Sequence, residues 1–190
     1  MLALAIGAQV HPASAFSTMI RFFVLFMVLL IALFTARVLQ PVQEAVTIPF
    51  TALLATVSAW LMMLFDGNVG AQGVIIYSLS EPWAVEIAPG CDGIEAVIIL
   101  FAAIFAFPAP FKHKLIGFAI GFVAIQGLNL VRIISLYYMG QWSMVAFEWF
   151  HLYLWQALII LDALVVWLLW LRYLPRRTAL ESGPPRPVEA

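Results

Sequence analysis

One cysteine, three histidines, nine Lys or Arg and ten Asp or Glu make up the reactive and charged inventory of this 190-residue chain. Charged residues are only 10% of the sequence. A soluble domain of this size needs far more charge to cover its surface, so a water-soluble globule is excluded. A single thiol cannot close an intramolecular disulfide. The net charge of −1 offers no basic field for nucleic acid. The histidines stand at positions 11, 113 and 151 and the cysteine at 91, with no pair at zinc spacing, so neither a metal nor a cofactor is expected. No internal repeat is visible. Lys and Arg are also missing between Arg37 and Lys112, where Asp66, Glu81, Glu86, Asp92 and Glu95 collect instead.

What the chain has is apolar length. Hydrophobic residues are 65% of it, and runs near the 20 residues that cross a bilayer recur. The sequence predicts an all-α, polytopic membrane protein, a bundle of about five transmembrane helices. The first runs from Phe22 to Ala36 between Arg21 and Arg37, and the second from Ala45 to Phe65. The third starts near Ile94 and stops at Pro108-Ala109-Pro110. The fourth covers Leu115 to Met139 with Arg132 inside it, and the fifth covers Leu152 to Leu171. Residues 66–91 form the longest polar connection, and 140–150 a short loop. Residues 1–18 read as an N-terminal extension, 19–174 as the membrane domain and 175–190 as a polar, Pro-rich tail expected to be disordered. The extension has an "ASA" at 13–15 but no basic region before it, so it resembles a signal peptide only superficially.

Positive charge in short loops stays in the cytoplasm. Lys112, Lys114, Arg172, Arg176 and Arg177 therefore mark the inner side, and the acidic 66–91 connection lies outside with loop 140–151. Five crossings with an inside C-terminus put the N-terminus outside. Arg21 and Arg37 flank the first span evenly and do not choose. With a start at Met19 the N-terminus is inside, and segment 45–65 then lies in or on the outer leaflet.

On this map Cys91 sits where the outer connection enters span three. Arg132 sits about 10 Å below the outer end of span four, by helix rise. His151 sits where the outer loop enters span five. Three reactive residue types from three segments thus reach one layer. Each has a plain alternative: a buried small hydrophobe for Cys91, an interfacial anchor for His151 beside aromatic neighbours, and outward snorkelling for Arg132. An Arg inside a span is costly unless paired or wet, and so points to function. A Cys nucleophile works as thiolate, from a free pKa of about 8.5. A nearby His can take its proton and return it to a leaving amine. A fixed guanidinium can stabilise a thiolate or an oxyanion. Asp92 and Glu95, at a helix start, are expected to face water and complement the dipole. Asn129 and Gln126 share the Arg132 flank and can orient it. Asp162, mid-way along span five, needs a partner, and Arg132 is the obvious cation. The alternative is a neutral Asp bonded to a neighbouring helix. Glu148, three before His151, can hold its ring or lie solvated.

Three stretches, "PGCDGIEA", "QGLNLVRIISLYY" and "FEWFHLYLWQALIILDALVVWLLW", resemble the exosortase/archaeosortase family of membrane transpeptidases, and most closely its exosortase H subgroup. The resemblance covers residues 40–174, and the family's Cys, Arg and His fall on Cys91, Arg132 and His151. It implies a membrane cysteine peptidase and transpeptidase in the cytoplasmic (inner) membrane of Gram-negative bacteria, with its active site facing the periplasm. Its partners are membrane lipid and secreted proteins with a C-terminal tripartite sorting signal: a short motif resembling Ile-Pro-Thr-Leu, a transmembrane helix and a basic cluster. The rival reading is a small transporter or membrane scaffold built on an Arg132–Asp162 pair.

Overall fold

The computed structural model describes residues 12–174, with side chains from Phe16 onward. The expected tail at 175–190, with Arg176 and Arg177, and the first part of the expected extension lie outside the described residues. Five helices form: α1 (Pro12–Val38), α2 (Gln40–Met63), α3 (Ile94–Ala106), α4 (Phe111–Trp142) and α5 (Met144–Arg172). All but α3 are long and apolar enough to cross a membrane. This is a multi-pass membrane protein, as composition predicts.

Between α2 and α3 the polar connection folds into a small antiparallel sheet of β1 (Val69–Gln72), β2 (Ile75–Ser78) and β3 (Ala84–Glu86), in that order. The sequence predicts a polar connection here, which the sheet corrects. The signals were there: Val-Ile-Ile-Tyr is β-branched and aromatic. Gly73 takes φ 59° at the first of the two residues between Gln72 and Ile75, where a hairpin turn requires positive φ. Val69 and Ile76 are buried with Leu54, Ala55, Ala59 and Met62 of α2 and Ile133 and Tyr137 of α4, so the sheet caps the C-terminal halves of these helices.

Side-chain pairs fix the direction of each helix. Phe22 of α1 packs on Phe107 just past α3, and Arg37 reaches Asp92 and Glu95 at the α3 start, so α1 and α3 are antiparallel. Gly93 lies against Gln126 and Asn129, Leu100 against Gly121, and Phe105 on Phe118, so α3 and α4 are antiparallel as well. In α2, Phe50 packs on Phe122 and Phe65 on Tyr138, so α2 runs with α4. Helices α1 and α2 therefore point the same way, which corrects the expected back-and-forth order. The cause is local. Leu39 is extended at ψ 130°, and Pro41 falls in the first turn of the next helix, where its missing N–H costs nothing. The chain steps sideways there and continues in the same direction. Segment 45–65 thus packs along α4 from Phe122 to Tyr138, and Arg21, at the other end of α1, lies beside Lys114. The alternative in which the N-terminal end of the first span shares a side with the Lys112–Lys114 loop is the one the packing favours.

The expected outer loop at 140–150 is mostly helical. Helix α4 continues to Trp142, and Ser143 breaks it in an extended conformation. The Ser143 hydroxyl then caps α5 by accepting from the Ala146 N–H. Helices α3, α4 and α5 share a second core around Leu100, Ile104, Ile125, Ile159, Ala163 and Trp170.

Close approach of α4 and α5 depends on glycine. A Cβ on Gly117 would stand 2.1 Å from the Trp170 ring, whose indole N–H donates to the His113 carbonyl at 3.0 Å; a Cβ on Gly127 would meet nothing within 4 Å. Gly117→Ala should destabilise the detergent-solubilised protein by about 1–3 kcal/mol through overpacking. Gly127→Ala should be neutral or stabilising by up to about 1 kcal/mol. Thermal unfolding of the two variants side by side checks the contrast.

Candidate active site

The chain leaves β3, passes Ile87 and closes a turn in which the Cys91 N–H donates to the Ala88 carbonyl at 2.9 Å. Asp92 follows, then Gly93 at φ 74°, then the first turn of α3. The Asp92 carboxylate accepts from the Ile94 N–H at 3.0 Å and so caps the helix. Gly93 is needed twice over: its φ suits glycine, and a Cβ would crowd the amides of Gln126 and Asn129 at 3.1–3.3 Å. At 13 residues, α3 is short for a crossing, about 20 Å of rise, so its N-terminal turn and Cys91 are set down between the longer helices.

Three side chains converge there. Cys91 Sγ lies 3.0 Å from His151 Nε2, and Arg132 Nη2 donates to the same sulfur at 3.6 Å. A thiol donating to Nε2 requires the tautomer with its proton on Nδ1. His151 is carried on a π-helical turn, Phe150–Leu154, inside α5. Such turns widen the helix locally and recur at functional sites. Its ring sits 5.5 Å from that of Phe147. Arg132 is 1% exposed, and neither Nε nor Nη1 has a hydrogen-bond partner. The three residues singled out in the sequence are thus within contact of one another. A cavity of about 50 Å³ opens beside them, lined by Val85 to Ala88, Ile133, Leu136 and Phe147.

Burial pushes the Cys91 thiol above its ordinary pKa, the Arg132 charge pulls it down, and the Asp92 and Glu95 carboxylates push it up again. The net direction is upward, toward the thiol form, and His151 Nε2 lies within reach of its proton.

Several surrounding expectations are corrected. Asp92 does not face water. It is fully buried, and it pairs with Arg37 at 3.3 Å while Arg37 also bonds Glu95. Burial pushes the Asp92 carboxyl up, while the Ile94 N–H and Arg37 hold it down. The cation these acids find is 55 and 58 residues away in sequence, farther than Lys112, so no local signal pointed to Arg37. Asn129 and Gln126 do share the Arg132 flank. Their amides stand against Gly93 with no hydrogen-bond partner, rather than on the guanidinium. No ion pair joins Asp162 to Arg132 among the described residues, and Asp162 Oδ2 is buried without a partner. Glu148 is exposed and bonds nothing on His151.

Removing the Arg37 side chain strands a buried carboxylate beside Cys91. Arg37→Ala should cost about 3 kcal/mol of stability. The double variant Arg37→Ala/Asp92→Asn should recover most of it, because Asn keeps an oxygen for the Ile94 N–H and carries no charge. Unfolding midpoints of the two variants and wild type give the comparison.

The family pattern described as transmembrane exosortase matches residues 13–166, which include Cys91, Arg132 and His151. Comparison with curated proteins and with solved structures finds no match. With most of its length matched, the chain belongs to the transmembrane exosortase family.

Proposed function

We propose that the protein is a membrane-embedded cysteine peptidase and transpeptidase. It cleaves the C-terminal sorting signal of secreted proteins and passes the product to an acceptor. The observation that carries this reading is one sulfur held between an imidazole at 3.0 Å and a buried guanidinium at 3.6 Å. Family membership is consistent with it.

The chemistry follows from those distances. His151 Nε2 takes the Cys91 proton, and the thiolate attacks the scissile carbonyl carbon. The carbonyl π electrons move to oxygen, and Arg132 stabilises the oxyanion in a site shielded from water. Collapse of this adduct expels the amine, which takes the proton back from the imidazolium, and leaves a thioester on Sγ. Water, an amine or a hydroxyl then gives a proton to His151 and displaces the sulfur. In the first case the outcome is hydrolysis; in the others it is transfer.

Placement supports the same reading. Arg21 lies beside Lys114, and the basic loop residues mark the cytoplasmic side. From Phe111 to Arg132 helix α4 rises about 30 Å, the thickness of the hydrocarbon core. The sulfur then stands at the outer boundary, facing the periplasm of a bacterial inner membrane. A substrate held by its own anchor helix presents its scissile bond at that level, and confinement to the bilayer raises its effective concentration. The subgroup reading, with a motif of the Ile-Pro-Thr-Leu type, belongs to the same proposal. The transporter and scaffold readings lose ground because Arg132 and Asp162 do not pair.

Co-expression with a secreted protein ending in a tripartite signal should convert it to a shorter form. Cys91→Ala should abolish conversion. His151→Ala should slow it by about 10²-fold or more. Both are read by immunoblot and by mass of the product. Unchanged conversion by Cys91→Ala would contradict the thiol mechanism.

A further inference from the structure

The sheet beside the cysteine has an open side. Strand order is β1, β2, β3, and no strand pairs with the far edge of β3 among the described residues. Which main-chain groups occupy that edge can be read from the ladder. The Ser78 N–H donates to the Trp83 carbonyl at 2.9 Å, and the Ile87 N–H donates to the Val74 carbonyl at 2.9 Å. Ile76 stands opposite Val85 between them. In an antiparallel pair these groups alternate. Trp83, Val85 and Ile87 therefore point theirs toward β2. Ala84 and Glu86 turn theirs outward.

That outward edge runs straight into the site. The turn closed by Cys91 N–H on the Ala88 carbonyl folds the sulfur back beside the strand it has just left. The small cavity at the sulfur has Val85 to Ala88 as one wall and Cys91, Arg132 and His151 on the others. The edge is also held in place. Ile87 is buried with Val69 and Ile76 in the core under the sheet. The Trp83 ring fills the space over Gly140, where a Cβ would stand 2.3 Å away.

We infer that the substrate segment carrying the scissile bond binds as an added strand on the free edge of β3, paired through the main-chain groups of Ala84 and Glu86. The inference rests on the peptidase reading above and names how its substrate is held. Strand addition recognises main chain, with specificity left to pockets for alternate side chains. It draws the peptide into an extended form, the form that exposes a carbonyl carbon to a nucleophile at the strand's end. The cavity at the sulfur is small, about 50 Å³, so it takes only the part of the segment at the scissile bond. The rest of the segment lies along the edge.

The test uses wild-type protein in detergent and acetyl-Ala-Val-Ala-Ala chloromethyl ketone, whose attack by Sγ forms a thioether and releases chloride. Four further probes each carry one backbone N-methyl group, at successive positions. The second-order rate of Cys91 alkylation is followed by intact mass. Strand pairing predicts an alternating pattern: methylation at every second nitrogen lowers the rate about tenfold, the size of one or two lost hydrogen bonds, and the nitrogens between are tolerated. A flat pattern, loss at a single position, or a parent probe no faster than chloroacetamide overturns the inference. Failure of the peptidase reading looks different: sorting-signal conversion then survives Cys91→Ala. Conversion that needs Cys91 together with a flat methylation pattern sinks strand addition alone.

Discussion

A buried guanidinium with one hydrogen bond is the constraint on which the rest of this structure turns. Arg132 is 1% exposed, beside β3, the Cys91 turn and His151 of α5, and among the described residues its guanidinium bonds a sulfur alone. A fixed cation in that setting costs on the order of several kcal/mol unless a negative charge meets it. Among the described residues no carboxylate pairs with it. Burial and the two nearby acids push the thiol upward. Charge complementarity is completed only when the thiol ionises or an oxyanion forms beside it. On the proposed mechanism those are states on the reaction path, and favouring them over the ground state is the condition for catalysis by differential binding.

The acids that oppose ionisation are not an oversight of the fold. Asp92 caps α3 and is tied to the end of α1 through Arg37, which also holds Glu95. One cation neutralises two carboxylates that would otherwise raise the thiol further, and the same contact locks the first helix to the cysteine turn. Alongside this turn lies a larger cavity, about 490 Å³, bounded by Arg37, Glu86, Pro89, Asp92 and Glu95. The electrostatics of the Cys91 thiol and the docking of α1 are therefore one design problem, solved with one side chain.

Much of this was legible in the sequence, and the parts that were not have physical reasons. Apolar length gave the five helices, because a bilayer imposes a length that composition cannot hide. Charge placement and helix rise brought Cys91, Arg132 and His151 to one level. It could not give their contacts, which come with the turn at Cys91 and the π-helical turn at His151. Chain direction failed at α2, since hydropathy records that a segment is apolar but not which way it travels; Pro41 was the clue. The sheet was missed because short strands under a helical cap carry weak periodicity. Arg37 was passed over as a flanking charge because a salt bridge between residues 58 apart in sequence leaves no local pattern.

The most direct test is the pH dependence of Cys91 alkylation by iodoacetamide, in wild type and in Arg132→Gln. Only the thiolate reacts. With the folded thiol pKa raised, the wild-type rate should climb with pH and reach its midpoint on the alkaline side of an ordinary cysteine. Loss of the guanidinium removes the one charge that lowers this pKa, so the Arg132→Gln midpoint should move further up and the rate at pH 7 should fall. Superimposable profiles, or a midpoint moved down, would contradict the claim that a buried cation governs this sulfur.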